Sequence, residues 1–87
     1  MLGEIYQKIQ LPELAKNYYL KSVRLIGIND VGGKAKIEAA LGKVYANLGN
    51  KEEAISWLKL AFNKYEKLGE FQRRDDLKLS LEKLQEQ

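Results

Sequence analysis

The chain contains no cysteine and no histidine. Without cysteine there is no disulfide framework and no thiolate to serve as nucleophile or metal ligand. Without histidine the commonest general base near neutral pH and the usual imidazole ligand of zinc are missing. Catalysis would have to rest on carboxylates, lysines or hydroxyls, and no acid–base constellation of these stands out. An enzyme is therefore not expected, and neither is a cofactor or a metal site. Proline occurs once, at Pro12, so no helix is interrupted from within. No apolar run approaches the roughly 18 residues of a membrane span, so no membrane partner is expected. The cysteine-free composition suits a cytoplasmic location.

What is present fits a soluble helical chain. The 87 residues are 45% hydrophobic and 31% charged, enough for one domain at most or a piece of a larger one. A chain of this size buries about two-thirds of its unfolded surface, so its core is modest. The net charge of +3 mildly favours acidic partners. Lysines spread over helix faces are, however, more often a solvated surface than a binding patch.

Five helical segments emerge from the 3.6-residue period, with no alternating strand, which makes the chain all-α. Residues 2–10 place Leu2, Ile5, Tyr6 and Ile9 on one face. Pro12 suits the first position of a second helix, in which Ala15, Tyr18, Tyr19, Ser22, Val23 and Ile26 form a broad buried stripe. Gly27 ends it, and Asp30 is placed to cap a third helix running to about Leu48, apolar at Ile37, Ala40, Leu41, Val44, Tyr45 and Leu48. Gly49 closes that helix. Asn50, with Glu53 three residues on, has the form of a capping box for a fourth helix that buries Ala54, Trp57, Leu58, Ala61, Phe62 and Tyr65 and ends at Leu68–Gly69. A fifth spans about 71–86, with Leu77, Leu81 and Leu84 on one face. The turns "QLP" and "GNK" are short enough to make their flanking helices antiparallel.

A sequence echo organises these helices. "LGEIY" at 2–6 returns as "LGKVY" at 41–45, and each is followed nine residues after its Tyr by an Ala, Ala15 or Ala54. Gly3 and Gly42 fall where a first helix meets a second, and a glycine there lets two backbones approach despite costing about 1 kcal/mol of helix propensity. Ala15 and Ala54 are the small partners, while Tyr6 and Tyr45 fill the wider gap one turn away. A helical hairpin built this way cannot bury its apolar face alone and must stack on a neighbour.

The pattern resembles the tetratricopeptide repeat, whose first helix carries Leu-Gly…Tyr and whose second carries Ala…aromatic…Ala. The second copy follows it at Leu41, Gly42, Tyr45, Leu48, Gly49, Ala54, Leu58 and Ala61; the first, more loosely, at Leu2, Gly3, Tyr6, Ile9, Ala15, Tyr19 and Ser22. The 39-residue spacing exceeds the family's usual 34, and the customary proline at the repeat's end is missing. The resemblance implies a right-handed α–α superhelix: a first repeat over 2–30, truncated at its start, a second over 31–69, and a capping helix over 70–87. In that last helix Leu81 stands in the place of Leu41, while Glu82 and Gln85 replace Gly42 and Tyr45 and would refuse a further helix pair. The chain reads as a fragment of a longer solenoid.

The resemblance also implies the function: a module binding a protein or peptide on its concave face, or self-associating, within a larger scaffold or regulator. The residues it places on that face are Lys8, Lys36, Ala39, Lys43 and Asn47, with Lys43 and Asn47 an i, i+4 pair able to hold a carboxylate or a peptide backbone. Stacking between chains through the end around Leu2, Ile5 and Ile9 would make a homo-oligomer. The competing reading is a basic helical domain that binds nucleic acid, with Tyr18, Tyr19 and Trp57 as stacking platforms beside lysines. At helical spacing with Ala15 and Ala61 those aromatics read better as core. "RRDD" at 73–76 is the charged first turn of a helix, and "GGK" at 32–34 lacks the strand, the glycine spacing and the Ser/Thr of a phosphate loop.

Overall fold

A computed structural model describes residues 12–27 and 29–86. They form four helices and no strand: α1 (Pro12–Leu25), α2 (Val31–Asn47), α3 (Lys51–Leu68) and α4 (Phe71–Glu86). The expected helix over 2–10, with Lys8, lies outside the described residues. The other expected helices end within about two residues of their predicted limits.

Local chemistry explains the boundaries. Pro12 opens α1, with Glu13 in its first turn and Arg24 in its last, each at the end of the helix dipole that favours it. Lys16 Nζ lies 2.9 Å from Glu13 Oε2, and that hydrogen-bonded carboxylate raises the ammonium above its usual pKa. At the start of α2, Asp30 Oδ1 accepts the Gly33 N–H at 2.9 Å. The α2–α3 and α3–α4 turns are built alike. Gly49 (φ 80°) and Gly69 (φ 75°) take the left-handed conformation, and their N–H groups donate to Ala46 and Glu66 carbonyls. The next N–H groups, of Asn50 and Glu70, reach back to the carbonyls of Tyr45 and Tyr65, both at 2.9 Å. Each helix therefore ends in a Schellman motif at a Tyr-x-x-Leu-Gly sequence. The expected capping box at Asn50 is one-sided: Asn50 Oδ1 accepts the Glu53 N–H at 3.4 Å, but the Asn50 N–H is already committed to Tyr45.

Helices pack on their neighbours in sequence, α1 on α2, α2 on α3 and α3 on α4, with the α2–α3 pair the most extensive. The core cluster draws Ala35 from α2, Leu58, Ala61 and Tyr65 from α3, and Leu77 and Leu81 from α4, with Ala39, Ile55, Phe62 and Leu84 packed against it. Alanines on α2 and α3 bring their helices close, and the larger leucines of α4 fill the space beyond. The tightest approach is at Gly42, where an added Cβ would lie 2.5 Å from Leu58 Cγ, 2.6 Å from Leu58 Cδ2 and 3.2 Å from the Ala54 carbonyl oxygen. The glycine–alanine crossing expected from the echo is present, with Leu58 as its third member.

Two expectations about burial need correction. Tyr18 is 67% exposed, stacked edge-on against Tyr19 at 5.8 Å, and α1 holds no fully buried residue. Among the described helices α1 packs extensively only on α2, so its inner face (Ala15, Tyr19, Val23) is the one covered; Tyr18 projects about 100° away from Tyr19. Trp57 and Phe62 are half-buried rather than buried. The buried positions of α3 are Ala54, Leu58, Ala61 and Tyr65, a narrower stripe that leaves both rings at its edges.

Candidate functional site

Because α3 carries both α2 and α4 while those two make no extensive contact of their own, a groove runs between α2 and α4 over the α3 side chain Leu58. Its volume is about 340 Å³. Lys43, Ala46 and Asn47 line it from α2, and Ser80, Lys83 and Leu84 from α4. Ala46 and Leu84 make its sides apolar. Two lysines and the polar groups of Asn47 and Ser80 stand over them, and no carboxylate lines it. Lys43 and Asn47 also border a smaller hollow of about 180 Å³ between α1 and α2, with Pro12, Ala15 and Tyr19 opposite. These two residues thus form a ridge shared by both depressions.

Of the residues singled out on the sequence, the structure brings Lys43 and Asn47 together at this groove, both exposed. Lys36 is exposed on the same side of α2 two turns earlier and lines neither hollow. Ala39 is half-buried against the core cluster and lines neither hollow. Lys8 lies outside the described residues. Lys83 and the Leu58 floor were not singled out. The register that sets Leu81 in the place of Leu41 also sets Lys83 in the place of Lys43, and this was the available signal for Lys83.

The remaining hollows are different in kind. The largest, about 640 Å³ between α3 and α4, has a Phe62–Leu81 floor and a rim of mixed charge. There Arg74 bonds Glu66 (3.4 Å) and Asp75 (3.0 Å) and lies 4.7 Å from the Phe71 ring centre, so its guanidinium is already occupied. A third, of about 380 Å³, opens between Val23, Ile26 and Trp57 beside Glu38. Glu38 is 4% exposed, the one fully buried charged residue among those described. Lys64 Nζ sits 2.9 Å from its Oε1 and 3.0 Å from its Oε2. Only the second contact is aligned as a hydrogen bond, so charge alone holds Oε1. This pair joins α2 to α3 from within and is structural chemistry rather than a reactive site. Among the described residues no cluster of acidic side chains could hold a metal ion, and no helix is long and apolar enough to cross a membrane.

Compared with known proteins, the chain matches a family model described as tetratricopeptide repeat over residues 1–28 and 39–63, more than half its length. No curated protein and no solved structure matches it.

Proposed function

The chain belongs to the tetratricopeptide repeat family, and from that premise we propose that it is a protein–protein interaction module whose α2–α4 groove takes an extended, acidic peptide segment. Repeats of this family generally mediate protein–protein interaction. The observation that carries the finer reading is the composition of the groove: two amines, an amide and a hydroxyl around an apolar floor, with no carboxylate. Lysine ammonium groups attract a carboxylate as point charges, while the Asn47 amide offers both donor and acceptor to a peptide backbone. Leu58, Ala46 and Leu84 leave room for a small apolar side chain between them. Lys36 extends the positive charge along α2.

The architecture we read around this groove is two repeats over 2–30 and 31–69 and a capping helix over 70–87, coiled as a right-handed superhelix with the groove on its concave side. Glu82 and Gln85, exposed where the preceding repeat has Gly42 and Tyr45, support the cap. We read it as a module within a larger scaffold or regulatory protein.

The test is a panel of fluorescein-labelled peptides, Glu/Asp-rich, neutral and Lys-rich, titrated by anisotropy at two salt concentrations. Acidic peptides should bind best and weaken with salt. Replacing Lys43 and Asn47 together by Ala should reduce their affinity by about tenfold, the loss of one charge-assisted and one neutral hydrogen bond. Unchanged affinity with helicity and Tm retained would remove the groove from the account. Generic duplex DNA or RNA bound in place of peptide, with a steep salt slope, would establish the nucleic-acid reading instead.

A further inference from the structure

The three most exposed large apolar side chains among the described residues all belong to α1: Leu14 (61%), Tyr18 (67%) and Leu25 (77%). At about 100° per residue, Tyr18 lies about 40° and Leu25 about 20° from Leu14, and Lys21 about 20° to the other side. They form a single stripe about 60° wide along the full helix, opposite the face that packs on α2. The other exposed apolar residues, Leu60, Leu68, Phe71 and Leu79, are divided between α3 and α4.

We propose that this stripe pairs with the same stripe of a second copy of the chain, antiparallel, to form an isologous dimer. The charges beside the stripe select both partner and direction. Glu13 and Arg24, in the first and last turns of α1, lie on the same flank, each about 80–100° from Leu14. A two-fold axis perpendicular to two antiparallel helices sets like flanks side by side and exchanges the ends. Glu13 of one copy then meets Arg24 of the other, twice by symmetry. The same register sets Leu14 against Leu25 of the second copy, and Tyr18 against Lys21 with the ammonium over the ring. Parallel pairing would oppose unlike flanks and lose both ion pairs. Arg24 is exposed, and Glu13, although it holds Lys16, keeps 64% of its side chain exposed and has room for a second cation. The surface is small, so the dimer is weak and forms only at high protein concentration. It is independent of the α2–α4 groove.

Sedimentation velocity of the full chain over a concentration series tests this. The sedimentation coefficient should rise from monomer to dimer, and Leu25→Glu should abolish the rise while leaving helicity and Tm unchanged. Glu13→Arg alone, or Arg24→Glu alone, should weaken the dimer about 3- to 30-fold, since each change turns two weak attractions into repulsions. The double exchange, Glu13→Arg with Arg24→Glu, should restore it. The Lys43→Ala, Asn47→Ala variant should dimerise normally, so failure here and failure of the groove are read separately. A chain that stays monomeric to about 1 mM overturns the proposal. So does a dimer indifferent to Leu25→Glu, or a double exchange that fails to rescue. A monomer whose Tm falls with Leu14→Glu would show instead that the chain covers the stripe itself.

Discussion

Replacing Gly42 by Ala tests the packing argument most sharply, because two effects of opposite sign meet there. An alanine in a helix interior is favoured over glycine by about 1 kcal/mol. Its Cβ, however, would stand 2.5 Å from Leu58 Cγ and 3.2 Å from the Ala54 carbonyl oxygen. Carbon atoms rest at roughly 3.5–4.0 Å, so at least about 1 Å has to be recovered. Leu58 is 1% exposed and belongs to the core cluster, so its branch point cannot swing into solvent, and the Ala54 backbone blocks an approach from the other side. Overpacking of this kind costs about 1–3 kcal/mol. The net expectation is destabilisation by up to about 2 kcal/mol once the propensity gain is subtracted. The sign should reverse when Leu58 is truncated. In a Leu58→Ala background the contacts with Cγ and Cδ2 are gone and only the 3.2 Å approach to the Ala54 carbonyl oxygen is left, so Gly42→Ala should stabilise by up to about 1 kcal/mol. The measurement is urea unfolding followed by circular dichroism for all four members of the cycle. A coupling energy of about 1–3 kcal/mol is expected. Additivity within about 0.5 kcal/mol, or a stabilising Gly42→Ala in the parent chain, would refute the reasoning.

Other substitutions probe separate links. Gly69→Ala has open space around its new methyl but must hold φ 75°, so it should cost about 1–2 kcal/mol, and Gly69→Asn, which tolerates that conformation, clearly less. Lys64→Met strands the buried Glu38 carboxylate and should destabilise by about 2–4 kcal/mol, whereas Glu38→Met with Lys64→Met should cost less than the single change; chemical denaturation of the three proteins decides it. Asp30→Ala removes the acceptor of the Gly33 N–H and should lower stability by about 1 kcal/mol, read as a fall in Tm.

Helix limits were legible because they are written locally. Asp30, Asn50, Gly49 and Gly69 each act within a few residues of the boundary they set, and the structure uses all four. The Gly42–Ala54 crossing was legible because it recurs. Burial on α1 was not, since the apolar residues of that helix divide between two faces and periodicity does not say which face finds a neighbour. Glu38 escaped notice because its partner, Lys64, lies on another helix 26 residues away. Its position beside Leu41, Gly42 and Tyr45 at helical spacing was the one hint that a carboxylate would be drawn inside. Within the candidate site, Lys43 and Asn47 followed from the family pattern. The groove itself depends on α2 and α4 remaining apart over Leu58, which no local signal encodes.

That separation gives α4 a thermodynamic role of its own. A ligand resting on α2 and α4 together finds its full set of contacts only while α4 is seated on α3, at the end of a linear array with no described helix beyond it. The free energy of seating that helix would then be part of any binding constant measured at the proposed groove, and apparent affinity would scale with the fraction of molecules in which it is docked. Changes at Leu77, buried in the core cluster and lining none of these hollows, would tune recognition in the same way as changes at Lys43. In return, an occupied groove would act as a brace, slowing amide exchange along α4 before it alters exchange in α1.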